Sequence, residues 1–229
     1  MFNPERPPEI TATRWLNSDG KRTLKAEKGK VVFVAVAAMA CPGSLKYGLP
    51  QAMRLTRAFS DKQVAVLGLH MAFEKFDEQT PDKVAAFLDE HGFTLPVALD
   101  KPNGEELPQT MKDYELQGTP AILLFDRQGR LRRHYLGAVD DLRIGAEIMA
   151  LLIEDKDSPR DTSIALERKL AAALLNPDDD HTHSDSCGCG HDHAHSHSHD
   201  HADEQGHDHS HDHAAHGEPG HVHGPDCKH

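Results

Sequence analysis

The sequence is poor in cysteine and in aromatic residues, and it lacks a long apolar run. Four cysteines, one tryptophan and 5% aromatic residues occur among 229 residues. The N-terminal residues include acidic side chains and several prolines, without the apolar segment of a secretory signal. No apolar run is long enough to span a bilayer, so no membrane partner is expected. We therefore expect a cytoplasmic protein with mostly reduced cysteines and no structural disulfide framework.

Negative charge is concentrated at one end of the chain. The formal net charge is −12, and residues 177–229 contain twelve acidic residues and one lysine. The rest of the chain is therefore close to neutral, at −1. A nearly neutral body has no basic patch for nucleic acid or for an anionic membrane surface. We predict neither partner.

Composition divides the chain into four parts. Residues 1–12 are rich in proline and are predicted to be a flexible lead-in. Residues 13–155 alternate apolar segments with turn residues, as one α/β domain of ordinary size does. Residues 156–176 are predicted to contain a C-terminal helix. Residues 177–229 are of low complexity, rich in histidine and aspartate, and contain almost nothing to fill a core, so a disordered tail is predicted.

The most informative stretch covers residues 31–44. The apolar, β-branched run Val31–Ala38 predicts a strand buried on both faces, and helical spacing follows over Leu45–Phe59. Cys41 lies between the two, followed by Pro42, which is favoured in the first turn of a helix. Because a helix start stabilises an anion, Cys41 is expected to be biased toward a reactive thiolate. The alternative is a small buried hydrophobic residue at a strand end.

Strands and helices alternate along the body. The predicted elements are a hairpin over residues 15–24, strands 31–38, 63–69, 96–99, 121–125 and 130–136, and helices 45–59, 80–91, 111–116, 140–154 and 162–175. Helix 45–59 is expected to bend near Pro50, which cannot donate a helical hydrogen bond. The alternation predicts a central sheet with parallel strands and helices on both faces, closed by an antiparallel hairpin.

Three short motifs narrow this pattern. Cys41-Pro42-Gly43-Ser44 is followed by Gly48-Leu49-Pro50-Gln51, and Gly118-Thr119-Pro120 comes directly before a predicted strand. Asp126-Arg127-Gln128-Gly129-Arg130 then forms a predicted hairpin turn. Together these motifs resemble redoxin/TlpA-type proteins of the thioredoxin-like superfamily, over roughly residues 12–155. The resemblance implies a thioredoxin-like three-layer α/β/α fold with a mixed central sheet.

The resemblance also implies roles for four residues. Cys41 matches the nucleophilic cysteine of a Cys-x-x-Cys motif, and Ser44 stands where the resolving cysteine would be. A serine cannot form a disulfide, but its hydroxyl can donate a hydrogen bond that lowers the pKa of Cys41. Pro120, in the cis form, would shape a substrate groove, and the backbone of Thr119 would pair with the substrate. Product release then needs an external thiol such as glutathione or a tail cysteine, unless the site is impaired.

Peroxiredoxins are wider relatives of this superfamily. Their peroxidatic cysteine typically lies in a Pro-x-x-x-Thr-x-x-Cys motif, whose proline and threonine help to position the peroxide. Val34 and Ala38 occupy those two positions here. The tryptophan that usually precedes a thioredoxin cysteine is also replaced, by Ala40. A weak peroxiredoxin-like peroxidase is therefore a further alternative.

Potential metal ligands are concentrated in the tail. Residues 181–229 hold sixteen of the nineteen histidines and three of the four cysteines. Imidazole and thiolate groups bind Zn²⁺, Ni²⁺ and Cu²⁺, but the spacing matches no defined zinc ribbon or finger. Several interchangeable sites are expected; the alternative is incidental binding by a solvated acidic tail. The candidate ligands are His181, His183, Cys187, Cys189, His191, His193, His195, His197, His199, His201, His207, His209, His211, His213, His216, His221, His223, Cys227 and His229.

Two functions from different classes follow. The first is a thiol-disulfide oxidoreductase that uses Cys41, with protein or low-molecular-weight thiols and disulfides as partners and no organic cofactor. The second is a metal-buffering protein or metallochaperone, in which a redox-impaired fold carries the tail.

His70 is expected near Cys41 at the same sheet edge. With Met39 and Met71 it forms either a copper-like donor set or ordinary core packing.

Overall fold

A six-stranded mixed sheet forms the centre of the computed structural model, which describes residues 2–20, 22–72, 78–104 and 107–174. The strands are β1 (Ala12–Leu16), β2 (Val31–Ala37), β3 (Val64–His70), β4 (Val97–Asp100), β5 (Ala121–Phe125) and β6 (Leu131–Leu136). The helices are α1 (Leu49–Ala58), α2 (Pro81–Glu90), α3 (Gln109–Asp113), α4 (Asp141–Ile153) and α5 (Arg160–Ala173). The sheet order is β1-β4-β3-β2-β5-β6. β3 pairs in parallel with β2 and β4, and the other three pairings are antiparallel.

The two central strands are the continuous apolar runs of the sequence. Every residue of β2 and β3 is buried, as expected for parallel strands covered on both faces. On one face, side chains of α1, α2 and α4 pack in a cluster with Phe33 and Leu124. On the other face, Met111 of α3 and Ile10 of the N-terminal segment pack against alternate strand residues. The predicted thioredoxin-like three-layer fold with a mixed sheet is therefore confirmed.

The predicted hairpin over residues 15–24 is wrong. β1 pairs instead with β4, with Trp15 opposite Ala98 and Leu16 opposite Val97. The chain leaves β1 at Asn17, which has a φ of +53° and whose side chain donates to the carbonyl of Phe93 at 2.8 Å. The turn residues after β1 therefore redirect the chain and do not return a second strand to it.

The lead-in makes specific contacts with the domain. The carbonyl of Pro4 accepts a hydrogen bond from the N–H of Leu131 at 2.8 Å, and the carbonyl of Pro8 accepts one from the Tyr114 hydroxyl. The ring of Phe2 packs 5.0 Å from that of Tyr114. Proline-rich composition predicted flexibility here, whereas free proline carbonyls and an aromatic contact fasten residues 2–8 to the second face of the sheet.

A wide π-helical turn over Ser44–Gly48 leads into α1. Pro50 lies in the first turn of α1, where it has no N–H to give to the carbonyl of Lys46. The structure thus shows a change of helical pitch here, and the predicted bend near Pro50 stays a prediction. Thr80 caps α2, with its side chain accepting from the N–H of Lys83, and Asp140 caps α4, with its side chain accepting from the N–H groups of Leu142 and Arg143.

A buried ion network attaches α5 to the sheet, and nothing in the sequence pattern predicted it. Arg130 and Arg132 are each less than a tenth exposed, and both donate to Asp126 and Glu154 at 2.7 to 3.2 Å. The hydroxyl of Ser163 on α5 donates to Glu154. Because these charges are buried together, each compensates the desolvation of another.

The tail predictions lie outside the described residues. The predicted disorder of residues 177–229 and all nineteen candidate metal ligands belong to residues 175–229, which the structure does not describe. The domain boundaries at residues 12, 155 and 176 stay a prediction. No helix among the described residues is long and apolar enough to cross a membrane.

Candidate thiol site

Cys41 lies where β2 meets the helical segment that ends as α1. Its carbonyl accepts hydrogen bonds from the N–H groups of Ser44 at 3.1 Å and Leu45 at 3.3 Å, so the first helical turn begins at this residue. Its own N–H donates to the carbonyl of Ala38 at 3.0 Å. The thiol is partly exposed and is not in a disulfide. The predicted order of strand, cysteine and helix is present, and Cys41 is of intermediate exposure.

Ser44 is completely buried beside Cys41. Its Oγ accepts a hydrogen bond from the N–H of Ala38 at 3.2 Å, which fixes the loop between β2 and Cys41. Because that bond uses a lone pair of Ser44, the hydroxyl proton is still available to the sulfur. Ser44 thus has two contacts: it holds the loop and it faces the thiol.

The Thr119-Pro120 loop lies on the other side of the sulfur. The Thr119-Pro120 peptide bond is cis, as the resemblance implied. Sγ of Cys41 donates to the carbonyl of Thr119 at 3.2 Å, although 78 positions separate the two residues. Pro120 starts the turn into β5, the strand that pairs with β2, and this pairing brings the loop to Cys41.

Two glycines allow the helical segment to approach Pro120. A Cβ on Gly43 would lie 2.9 Å from Cδ of Pro120, and a Cβ on Gly48 would lie 3.0 Å from its Cβ. Real Cβ atoms essentially never come as close as the Gly43 contact, and the Gly48 contact would require Pro120 to move slightly, so glycine fits both positions without a shift. Both glycines belong to the motifs that carry the resemblance, but their role follows only from this close approach to Pro120. Gly43 lies just before the predicted helix and Gly48 lies inside it, where glycine is otherwise unfavourable.

The pKa of the Cys41 thiol is lowered from its ordinary value. Partial burial raises the pKa, but the hydroxyls of Thr119 and Ser44 and the N–H groups of Ser44 and Gly43 together favour the thiolate by more than burial opposes it. The Thr119 carbonyl can bind only the protonated thiol, so it does not support the thiolate. Oγ1 of Thr119 is buried and has no hydrogen-bond partner of ordinary geometry among the described residues, which leaves its proton for the sulfur.

His70 supports the loop that carries Cys41. It is buried at the end of β3, and its Nε2 accepts a hydrogen bond from the N–H of Met39 at 3.2 Å. Burial lowers the pKa of His70 to about 4, against a smaller opposing effect of a hydrogen bond with Gln79. The imidazole is therefore neutral at pH 7, with one ring nitrogen already used by the backbone.

The described residues do not form a metal centre. Met39 packs against the α1 face of the sheet, whereas Met71 belongs to the cluster on the opposite face, so the two thioethers do not converge on His70. No group of three or more histidine, cysteine, aspartate or glutamate side chains in this part of the chain could hold a metal ion. The packing alternative for these methionines therefore fits the geometry.

The structure brings together the four residues singled out from the sequence: Cys41, Ser44, Thr119 and Pro120. The two peroxiredoxin positions supply no equivalent groups. Val34 is fully buried inside β2, and Ala38 offers the site only its backbone. Neither residue can present a hydroxyl or ring to a peroxide.

Fold and site together define a thioredoxin-like protein in which one cysteine faces a cis-proline loop and a buried serine. The redoxin family model matches residues 6–147, and the chain belongs to the redoxin family. That match includes all four site residues.

Solved structures agree with this assignment. A thioredoxin-like superfamily protein is 42% identical, with a TM-score of 0.63 over 64% of this chain and 96% of its own. A thiol-disulfide isomerase from Corynebacterium glutamicum is also 42% identical, with a TM-score of 0.63 over 66% of this chain and 97% of its own. A thioredoxin-like protein solved in its oxidized form is 25% identical, with a TM-score of 0.55 over 67% and 99%. No curated protein matches the sequence.

Proposed function

We propose that this protein is a thiol-disulfide oxidoreductase that uses Cys41 without a second cysteine in its motif. The observation that carries the proposal is the pairing of a partly exposed, pKa-lowered Cys41 with a fully buried hydroxyl at position 44. Membership of the redoxin family supports thiol chemistry. The name of the Corynebacterium relative, a thiol-disulfide isomerase, supports disulfides as substrates.

The reaction is a two-step exchange. The Cys41 thiolate attacks one sulfur of a substrate disulfide, forming a mixed disulfide, and the second substrate sulfur leaves as a thiolate with the bonding electron pair. A thiolate from solution then attacks the substrate sulfur of the mixed disulfide, and Cys41 leaves as a thiolate. One disulfide is consumed and one is formed, so no further oxidant is required. Ser44 stays chemically unchanged and favours the thiolate at both ends of the cycle.

The external thiol in this proposal is glutathione or a protein thiol. Ser44 cannot attack a mixed disulfide, because a serine hydroxyl is not ionised near neutral pH and forms no disulfide. The exposed side of Cys41 leaves a route by which an external thiolate can reach the mixed disulfide.

The test measures the reactivity of Cys41 in the full-length protein. Alkylation of the Cys41 peptide by iodoacetamide, followed by mass spectrometry across pH, should titrate below the ordinary thiol pKa of ~8.5. Incubation with glutathione disulfide should add one glutathionyl group at Cys41, and Cys41→Ser should remove that adduct. An ordinary thiol titration without a mixed disulfide would contradict the proposal. A disulfide between Cys41 and a tail cysteine would instead assign resolution to the tail.

A second candidate function rests on the donor density of the tail. Sixteen histidines and three cysteines within residues 181–229 support binding of Zn²⁺, Ni²⁺ or Cu²⁺. Each metal should be titrated into the full-length protein and into a chain that ends at Asn176. Equal stoichiometry in the two would contradict tail binding. Alkylation of Cys41 with and without zinc then tests whether metal binding and thiol chemistry are coupled.

A further inference from the structure

The outer face of α4 is apolar along its whole length. The inner face packs Ile144, Ile148 and Leu151 into the core. On the outer face, Leu142 is 85% exposed and Ile153 is 76% exposed, and Met149 between them is 45% exposed. A solvated helix normally places polar side chains opposite its core face. This helix instead has a second apolar face.

The spacing of that second face is the spacing of a helix-pairing seam. Leu142, Ala146, Met149 and Ile153 follow one another at intervals of four, three and four residues, as the a and d positions of paired helices do. Charged side chains near the seam are already engaged. Arg54 binds Asp141 at 2.6 Å, and the Arg143 guanidinium lies over the ring of Tyr135.

The C-terminal tail has little with which to cover the seam. Residues 175–229 contain Leu175 and Val222 as their only large aliphatic side chains, and no aromatic residue or methionine. Such a segment has almost no apolar area with which to replace water on α4. The tail is therefore a poor cover for α4, and we consider a second copy of the chain instead.

The seam is complementary to a second copy of itself in antiparallel orientation. With a two-fold axis between positions 147 and 148, Leu142 faces Ile153 of the partner subunit, and Ala146 faces Met149 of the partner subunit. Each contact then pairs two large aliphatic side chains, or a large one with a small one, without a buried charge. A two-fold interface requires this self-complementarity, because the same patch is used on both subunits. We propose that the protein forms a homodimer through antiparallel packing of α4 against α4.

The interface is small, so the dimer should be weak. Stable interfaces commonly bury ~800 Å² on each partner, and a single helix seam offers less. We expect a dissociation constant in roughly the micromolar range. Sedimentation velocity of the full-length protein from about 1 to 500 μM should therefore show a reversible monomer-dimer equilibrium. The buffer should contain a chelator and a reductant, so that metal bridges and disulfides do not contribute.

Charge substitutions test the antiparallel pairing. Leu142→Glu and Ile153→Lys should each abolish the dimer, because each places an unpaired charge opposite an aliphatic side chain. The double variant should restore it, because residue 142 of one subunit meets residue 153 of the other. Leu107→Glu is the matched control, since Leu107 is 48% exposed away from α4. Circular dichroism of each variant checks that the fold is retained.

Three results would overturn the proposal. The first is a wild-type protein that is monomeric at every concentration. The second is a dimer that Leu142→Glu and Ile153→Lys both leave unchanged, which would place the interface elsewhere. The third is a double variant that stays monomeric while folded, which would exclude the antiparallel pairing of positions 142 and 153.

Discussion

Ser44 is the residue at which this site departs from a two-cysteine motif, and Ser44→Ala tests what it does there. The substitution removes the hydroxyl without adding volume. It deletes the acceptor of the Ala38 N–H at 3.2 Å and the donor that favours the Cys41 thiolate. Two separable effects follow, one on folding and one on ionisation.

The magnitudes follow from those two contacts. The buried N–H of Ala38 would have no acceptor, which lowers the free energy of unfolding by about 1–3 kcal/mol. A hydrogen bond to a charged group contributes roughly 1.5–3 kcal/mol, and one pKa unit corresponds to ~1.4 kcal/mol. Because Cys41 is partly exposed and solvent screens its charge, we expect the lower end of that range. The pKa of Cys41 should therefore rise when the Ser44 hydroxyl is removed.

The assay follows alkylation at the Cys41 peptide between pH 5 and 10, with urea unfolding in parallel. Ser60→Ala is the control, because the exposed Ser60 Oγ accepts the N–H of Lys62 at 3.3 Å without touching the site. Ser60→Ala should change neither the pKa of Cys41 nor the free energy of unfolding measurably. A Ser44→Ala variant that is less stable but keeps the wild-type pKa of Cys41 would refute the electrostatic role of Ser44.

Three further substitutions test the surroundings of the site. Gly43→Ala should lower the free energy of unfolding, measured in urea, by about 1–3 kcal/mol and should slow mixed-disulfide formation, because the new Cβ meets Pro120. Gly20→Ala is the control and should have neither effect, since no atom lies within 4 Å of its Cβ position. His70 has a folded pKa of about 4, below its ordinary 6.5, so its stabilising contribution is complete above pH 6.5 and falls as the pH drops through 4. The free energy of unfolding should fall by about 3 kcal/mol in total, at ~1.4 kcal/mol per pKa unit. Unfolding of His70→Asn, measured over the same pH range, should not show this loss. Glu154→Ala should lower the unfolding free energy by about 3–5 kcal/mol, because it leaves two buried guanidinium groups under-compensated, whereas exposed Asp155→Ala should not.

The sequence by itself predicted the features that depend on local pattern. Continuous apolar runs identified β2 and β3, because a strand covered on both faces has no polar positions. The helices predicted over residues 80–91 and 140–154 are present as α2 and α4, and the side chains of Thr80 and Asp140 cap their first turns. The order of strand, Cys41 and helix, and the resemblance carried by the Gly118-Thr119-Pro120 motif, identified the site residues.

Features that depend on distant parts of the chain came only from the tertiary structure. β1 pairs with β4 and not with the segment that follows it in the sequence. The side chain of Asn17, at the end of β1, binds the carbonyl of Phe93, which lies far along the sequence. The ion network around Glu154 joins a hairpin to two helices, and charges in a sequence look alike whether solvated or buried.

The same division runs through the thiol site. Local sequence determined that Cys41 is at a helix start, which by itself favours a thiolate. The tertiary structure decided that Ser44 is fully buried and that Thr119 lies 3.2 Å from the sulfur. Burial and cross-sheet proximity arise from strand pairing between β2 and β5, and no pattern within a short segment encodes which strands will pair.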